Sequence, residues 1–257
     1  MLYRNSSNDC ALLLIRPQIF KEGFFSDLDT IGIHQPNYFP WAGYFHKIAR
    51  VKKFIFLDDV QYSKGSYINR VQYLSNGDVH WLTVPCKPKL GTKINEVPIV
   101  SNDWQQQHLQ KIEGGYKKCP MFAEVWPNIQ KWLSVEANRK LSDLNIYIIK
   151  EVCVYLDIKT KFYRSSEIFI NKELSASDRL VSLVKAVGGN EYFSGSGATK
   201  YQEEGLFFEQ NVSISYSSFV ESPRRQKSTC FKQGLSVLDL ILNIDPARAK
   251  SIILAEG

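Results

Sequence analysis

The chain has 257 residues, with 32 Lys+Arg against 26 Asp+Glu and a formal charge of +6. That length holds one large domain or two small ones, and buries a core without staples. Hydrophobic content of 44% and charged content of 23% exclude a disordered, collagenous or coiled-coil chain.

Residues 1–28 read as an irregular extension ahead of a single domain spanning 29–257; a short packed helix is the alternative. Their apolar run, residues 11–15, is too short for a membrane span, and Arg16 follows at once. Thr30–His34 is a short apolar strand, and the loop after it carries Pro36 and Pro40, which cannot continue a helix or a central strand. Residues 41–51 place apolar side chains at 41, 44, 45, 48 and 51, a helical period. Lys53–Asp58 is an apolar strand ending in an acidic pair. Strand, helix and strand together predict a parallel βαβ unit.

His80–Pro85 reads as a strand, a basic loop follows at 87–91, and Ile94–Ile99 is a further strand candidate. Residues 104–112, 121–133 and 141–156 carry helical patterns, so a helix-rich insertion or cap is expected over about 100–157. Lys161–Tyr163 starts a strand. A helix over 175–187 has Ser175 or Ser177 as its cap and Gly188-Gly189 as its stop. Glu191–Phe193 and Val212–Phe219 are strands, 235–242 is a helix, and 243–257 tails off. The alternation predicts an α/β class: a mostly parallel sheet with flanking helices.

Ligands of such sheets bind off the carboxyl ends of strands. That rule selects the loops after 34, 58, 85, 163 and 193, which are also rich in His, Asp, Lys, Ser and Gly. His34, with Gln35, Pro36, Trp41 and Gly43, ends a strand and opens a helix, where it can meet an anion or act as acid and base. Asp58 and Asp59 can hold Mg²⁺ or orient a donor, and Lys64, Asn69 and Arg70 supply anion contacts. The ordinary alternative there is a solvated turn. Arg164-Ser165-Ser166 and Arg179 offer hydroxyls and a forked donor to phosphate, or else a cap and an ion pair. Ser194, Gly195, Ser196 and Gly197, followed by Lys200 and Tyr201, read as a ligand loop in which glycines let backbone N–H groups approach an anion. It is neither a P-loop nor a complete GxGxxG. No nucleophile elbow or metalloprotease motif is present.

The charge suits an anionic partner, but Lys and Arg are dispersed and no nucleic-acid-binding motif appears, so nucleic acid is not expected. The cysteines, Cys10, Cys86, Cys119, Cys153 and Cys230, form no CxxC pair and are odd in number, which points to a reducing cytoplasm. Aromatics make up 13%, enough for a core and a stacking surface.

The segments IGIHQPNYFPWAGYFHKI, FIFLDDVQYSKGSYINR, WLTVP, YFSGSGATKY and LSVLDLILN resemble the WbqC-like proteins, in order, from about residue 31 to 243. The resemblance implies a bacterial enzyme of surface-polysaccharide (O-antigen) biosynthesis. Its expected reaction transfers an aminoacyl or acyl group, such as glycyl, to the amine of a nucleotide-linked amino sugar. The alternative is a non-catalytic binder of a nucleotide sugar or glycan. Motif residues carried across include Gln35, Tyr38, Lys47, Asn69, Arg70, Ser194, Gly195 and Tyr201, with His34, Asp58, Asp59 and Lys64 as the catalytic candidates. Tyr38, Trp41 and Tyr201 are placed to stack on a sugar or base. By analogy the opening block resembles nucleotidylyltransferase-like (HUP-like) cores, although Tyr44 follows Gly43 where their second His would stand. That analogy implies ATP and Mg²⁺; a thioester or a charged tRNA is the other possible acyl donor.

Overall fold

The computed structural model describes residues 29–100, 103–134, 140–171, 174–195 and 204–255. Five strands form one parallel sheet: β1 (Thr30–His34), β2 (Lys53–Phe56), β5 (Lys161–Arg164), β6 (Glu191–Ser194) and β7 (Ser213–Tyr216). Their spatial order is β5-β2-β1-β6-β7. Counted within the sheet this is 3-2-1-4-5, the order of doubly wound nucleotide-binding sheets, and it reverses between β1 and β6. The first two strands pair from Ile31↔Lys53 to His34↔Phe56. The β1–β6 pairing stops earlier, at Gly32↔Phe193. In doubly wound sheets such a switch point is where the ligand crevice lies, here off the carboxyl ends of β1 and β6.

Side chains alternate across the sheet and build two cores. On one face Phe54, Phe56 and Phe193 share a cluster with Phe45 and Ile48 of α1 (Ala42–Ala49) and with Leu238 and Ile241 of α7 (Val237–Asn243). On the other, Ile31, Ile33, Ile55 and Tyr192 share one with Val181 and Val184 of α5 (Ala176–Ala186) and Phe207 of α6 (Glu204–Glu209). Each fully buried Phe or Ile contributes about 1.5–3 kcal/mol, which fixes the helices to the sheet.

Between β2 and β5 the chain leaves the sheet. It makes a separate antiparallel hairpin, β3 (Arg70–Ser75) and β4 (Asp78–Thr83), and then α2 (Trp104–Tyr116), α3 (Phe122–Leu133) and α4 (Leu141–Tyr155). The hairpin closes on Asn76-Gly77, both with left-handed φ (53° and 87°). An Asn-Gly pair adopts that backbone readily, and its twist suits paired strands. Arg70 thus begins a strand, and the strand expected at 80–85 lies instead at 78–83. The strand expected over 94–99 is a 3-10 turn, Ile94–Glu96. The expected tail contains α8 (Pro246–Leu254), capped by Asp245 accepting from the Arg248 amide, with proline in the first turn where no donor is needed. Among the described residues no helix is long and apolar enough to cross a membrane.

Candidate functional site

The loop after β1 is held on every side. Asn145 of α4 donates to the carbonyls of Pro36 (2.9 Å) and Ile68 (2.7 Å), so one buried amide ties this loop to the entry of the hairpin. The Tyr38 amide donates to the Tyr67 carbonyl, and the Ser236 hydroxyl to that of Phe39. Phe39 sits at φ 38°, a left-handed conformation that a non-glycine residue keeps only where its surroundings enforce it.

This anchoring positions His34. Its Nδ1 lies 3.0 Å from the Gln35 carbonyl, which only accepts, so Nδ1 carries the proton and Nε2 keeps the lone pair. The Tyr44 hydroxyl donates to the same carbonyl at 2.9 Å, and its ring meets His34 edge-on. Burial, reinforced by the charge of nearby Lys47, lowers the His34 pKa to about 4, so the imidazole is neutral at physiological pH.

Lys47, from the last turn of α1, is buried. Its Nζ donates to the Ile33 carbonyl at 2.7 Å and lies 5.3 Å from the centre of the Tyr192 ring. These contacts set it where β1 and β6 separate. Burial lowers its pKa to about 7. Ser194, fully buried, and Gly195 end β6 on the other side of the crevice, and a Cβ at Gly195 would meet nothing. Ser196, Lys200 and Tyr201 lie outside the described residues.

Several expected ligand contacts prove to be internal. Asp58 is fully buried. It receives Arg164 Nε at 2.8 Å, the Ser166 amide at 3.0 Å and the Ser166 hydroxyl at 2.9 Å. Asp59 accepts from the Ser165 hydroxyl and from Arg179 at 2.6 Å, and these donors hold its pKa low against its burial. The anions that Arg164, Ser165, Ser166 and Arg179 bind are the chain's own carboxylates. An acid pair already neutralised by two guanidinium groups does not fit Mg²⁺. Among the described residues no group of three or more His, Cys, Asp or Glu is placed to hold a metal ion. Tyr38 is also structural: it is fully buried, with its hydroxyl 2.8 Å from His108 Nδ1, and cannot stack on a ligand. Asn69 is spent on the Tyr62 hydroxyl and the Val84 carbonyl. Trp41 stays partly exposed, its ring lying over Gly43 and edge-on to Phe219.

Lys64 and Arg70 line a cavity of about 810 Å³ between the loop after β2 and the loop after β4. Lys87 and Lys89 line it too. The basic loop at 87–91 was expected at a ligand-binding strand end, though its lysines were not named as site residues; Tyr67 and Trp81 were missed, Trp81 because the Asn76-Gly77 hairpin that brings it to Arg70 was not read.

The model of the WbqC-like protein family matches residues 35–251. The chain belongs to the WbqC-like protein family. This WbqC-like chain is 32% identical over 221 residues to the uncharacterized protein Rv1507c of Mycobacterium tuberculosis, covering 84% of its own length and 94% of that protein. No solved structure matches it. The family match includes the His34-following loop, both hairpin strands and the end of β6, so the whole carboxyl rim after His34 is family territory.

Proposed function

We propose that this WbqC-like chain is an enzyme that forms an amide on the amine of a nucleotide-linked amino sugar, in bacterial surface-polysaccharide (O-antigen) biosynthesis. The observation that carries the reading is the pairing of a neutral His34 with the crevice where the sheet order reverses. The attacking nitrogen must be an unprotonated amine. It bonds to the acyl carbon, the bond from that carbon to its leaving group breaks, and the nitrogen gives up a proton. His34 Nε2, with Nδ1–H fixed on Gln35, is the acceptor for that proton. Burial, reinforced by Lys47, keeps His34 neutral. The acyl group, glycyl among the candidates, arrives as an acyl-adenylate made from ATP, as a thioester or on a tRNA. The 3-2-1-4-5 order supports a nucleotidylyltransferase-like core and hence ATP. No step is assigned to Asp58, Asp59 or a metal.

The test is mass spectrometry of an amino-sugar nucleotide after incubation with the protein, glycine and ATP, then with a thioester or glycyl-tRNA in place of ATP. A mass gain that disappears in His34→Ala, with sugar-nucleotide affinity retained, supports the enzyme. No mass gain with any donor excludes it. The engaged state of Asp58 and Asp59 favours one second reading, a non-catalytic binder of the same sugar nucleotide; retained affinity without turnover would identify it.

A further inference from the structure

The cavity beside the hairpin is distinct in chemistry from the β1/β6 crevice. Four cationic side chains line it, Lys64 and Arg70 on one wall and Lys87 and Lys89 on the other, and none of its lining residues is acidic. The three lysines are exposed. So many like charges around one hollow repel one another unless an anion joins them. Its volume of about 810 Å³ falls within the usual range for small-molecule sites, roughly 300–1,000 Å³.

Arg70 links this cavity to an aromatic patch. Its guanidinium lies 4.2 Å from the centre of the Trp81 ring while the side chain lines the cavity, and its buried Nε has no hydrogen-bond partner. Trp81 in turn lies 5.8 Å from Tyr67, centre to centre. Both rings are exposed, Tyr67 by 48% and Trp81 by 37%, on the outer side of the hairpin. Large aromatics left in water beside a cationic hollow are suited to stack on a planar group.

We infer that this cavity binds a nucleoside diphosphate, with the phosphates between Lys64, Arg70, Lys87 and Lys89 and the base against Tyr67 and Trp81. It rests on the proposed function only in naming the nucleotide half of that substrate; the cavity and the platform stand without it.

The experiment is calorimetric titration of the purified full chain with UDP, CDP, GDP, ADP and dTDP in turn, and with inorganic pyrophosphate. At least one diphosphate is expected to bind. The Lys87→Gln/Lys89→Gln double variant, exposed and harmless to folding, weakens it roughly tenfold or more, since each 1.4 kcal/mol of lost phosphate contact is a factor of ten. Tyr67→Ala weakens nucleoside diphosphate binding by a similar factor and leaves pyrophosphate binding unchanged, since no cavity cation packs on that ring. Binding that ignores all three substitutions, or no binding of any diphosphate, overturns the assignment. Diphosphate binding that the variants weaken, in a protein that transfers no acyl group, keeps this site and rejects the proposed reaction instead.

Discussion

Lys47 Nζ donates to the carbonyl oxygen of Ile33 over 2.7 Å, and no carboxylate is needed to hold it there. A buried amine held by a carbonyl and a ring gains little from its charge, so burial lowers its pKa to about 7 from 10.5. Between those two values the unfolded chain binds more protons than the folded one. Stability therefore rises with pH from about 7 to 10.5, by at most about 1.4 kcal/mol per unit. Lys47→Met removes that rise. Urea unfolding of both proteins between pH 7 and 10 checks it: the wild-type curve should climb relative to the variant, and parallel curves would assign the proton elsewhere.

Asp58 is an anchor for Arg164 and the Ser165-Ser166 turn. Asp58→Ala leaves Arg164 half-buried with Asp143 at 2.7 Å, Ser142 at 3.3 Å and the exposed Glu167 at 3.9 Å, and strips two donors of Ser166 of their acceptor. Breaking a buried ion pair from one side costs about 3–5 kcal/mol. Urea unfolding should show a loss of that size, and Mg²⁺ alone should leave the wild-type melting temperature unmoved. A loss under about 1 kcal/mol would contradict the anchoring role.

Gly43 lets the Trp41 ring lie flat on the first turn of α1. A Cβ there would stand 2.3 Å from Trp41 Cζ2. Gly43→Ala therefore pushes the ring off the helix, at about 1–3 kcal/mol or less if the ring swings out freely. Tryptophan emission should change in Gly43→Ala and stay constant when the same substitution is made in a Trp41→Phe background. Equal changes in both backgrounds would place the disturbance on another tryptophan.

Asp239 of α7 shares Arg224 with Glu221, at 3.1 Å and 2.6 Å, and accepts from Gln226 at 2.7 Å. Both carboxylates are buried around one guanidinium. Burial, only partly offset by Arg224 and Gln226, raises the Asp239 pKa to about 6. The folded chain keeps this proton up to about pH 6 and the unfolded chain releases it near 3.8. The stabilisation is full below the lower value and is lost as pH rises through the upper one. Asp239→Asn lacks this term, so its stability relative to wild type should improve from pH 4 to pH 6.5 in urea titrations. A constant difference would show that Asp239 is already ionised in the fold.

Much of the sheet was readable because its strands are short apolar runs bounded by Pro, Asp or Gly. The helix at 176–186 was readable from Ser175 and Gly188. Half of the hairpin was legible, as the strand expected at 80–85; its partner Arg70–Ser75 was not, because Asn76-Gly77, the local signal that joins the two, was left unread. The final helix was missed although Asp245-Pro246 carried its start.

The chain alone determined the family motifs, the α/β class and the concentration of His34, Lys64, Arg70 and Ser194 at strand ends. Only the tertiary structure decided which of the charged residues face one another. Asp58 and Arg164 are 106 residues apart, and Asp59 and Arg179 are 120 apart. Residue type cannot say whether such a carboxylate awaits a ligand or an arginine, because both satisfy the same lone pairs. The parallel register of β2 against β5, ending at Phe56↔Arg164, brings the arginine first.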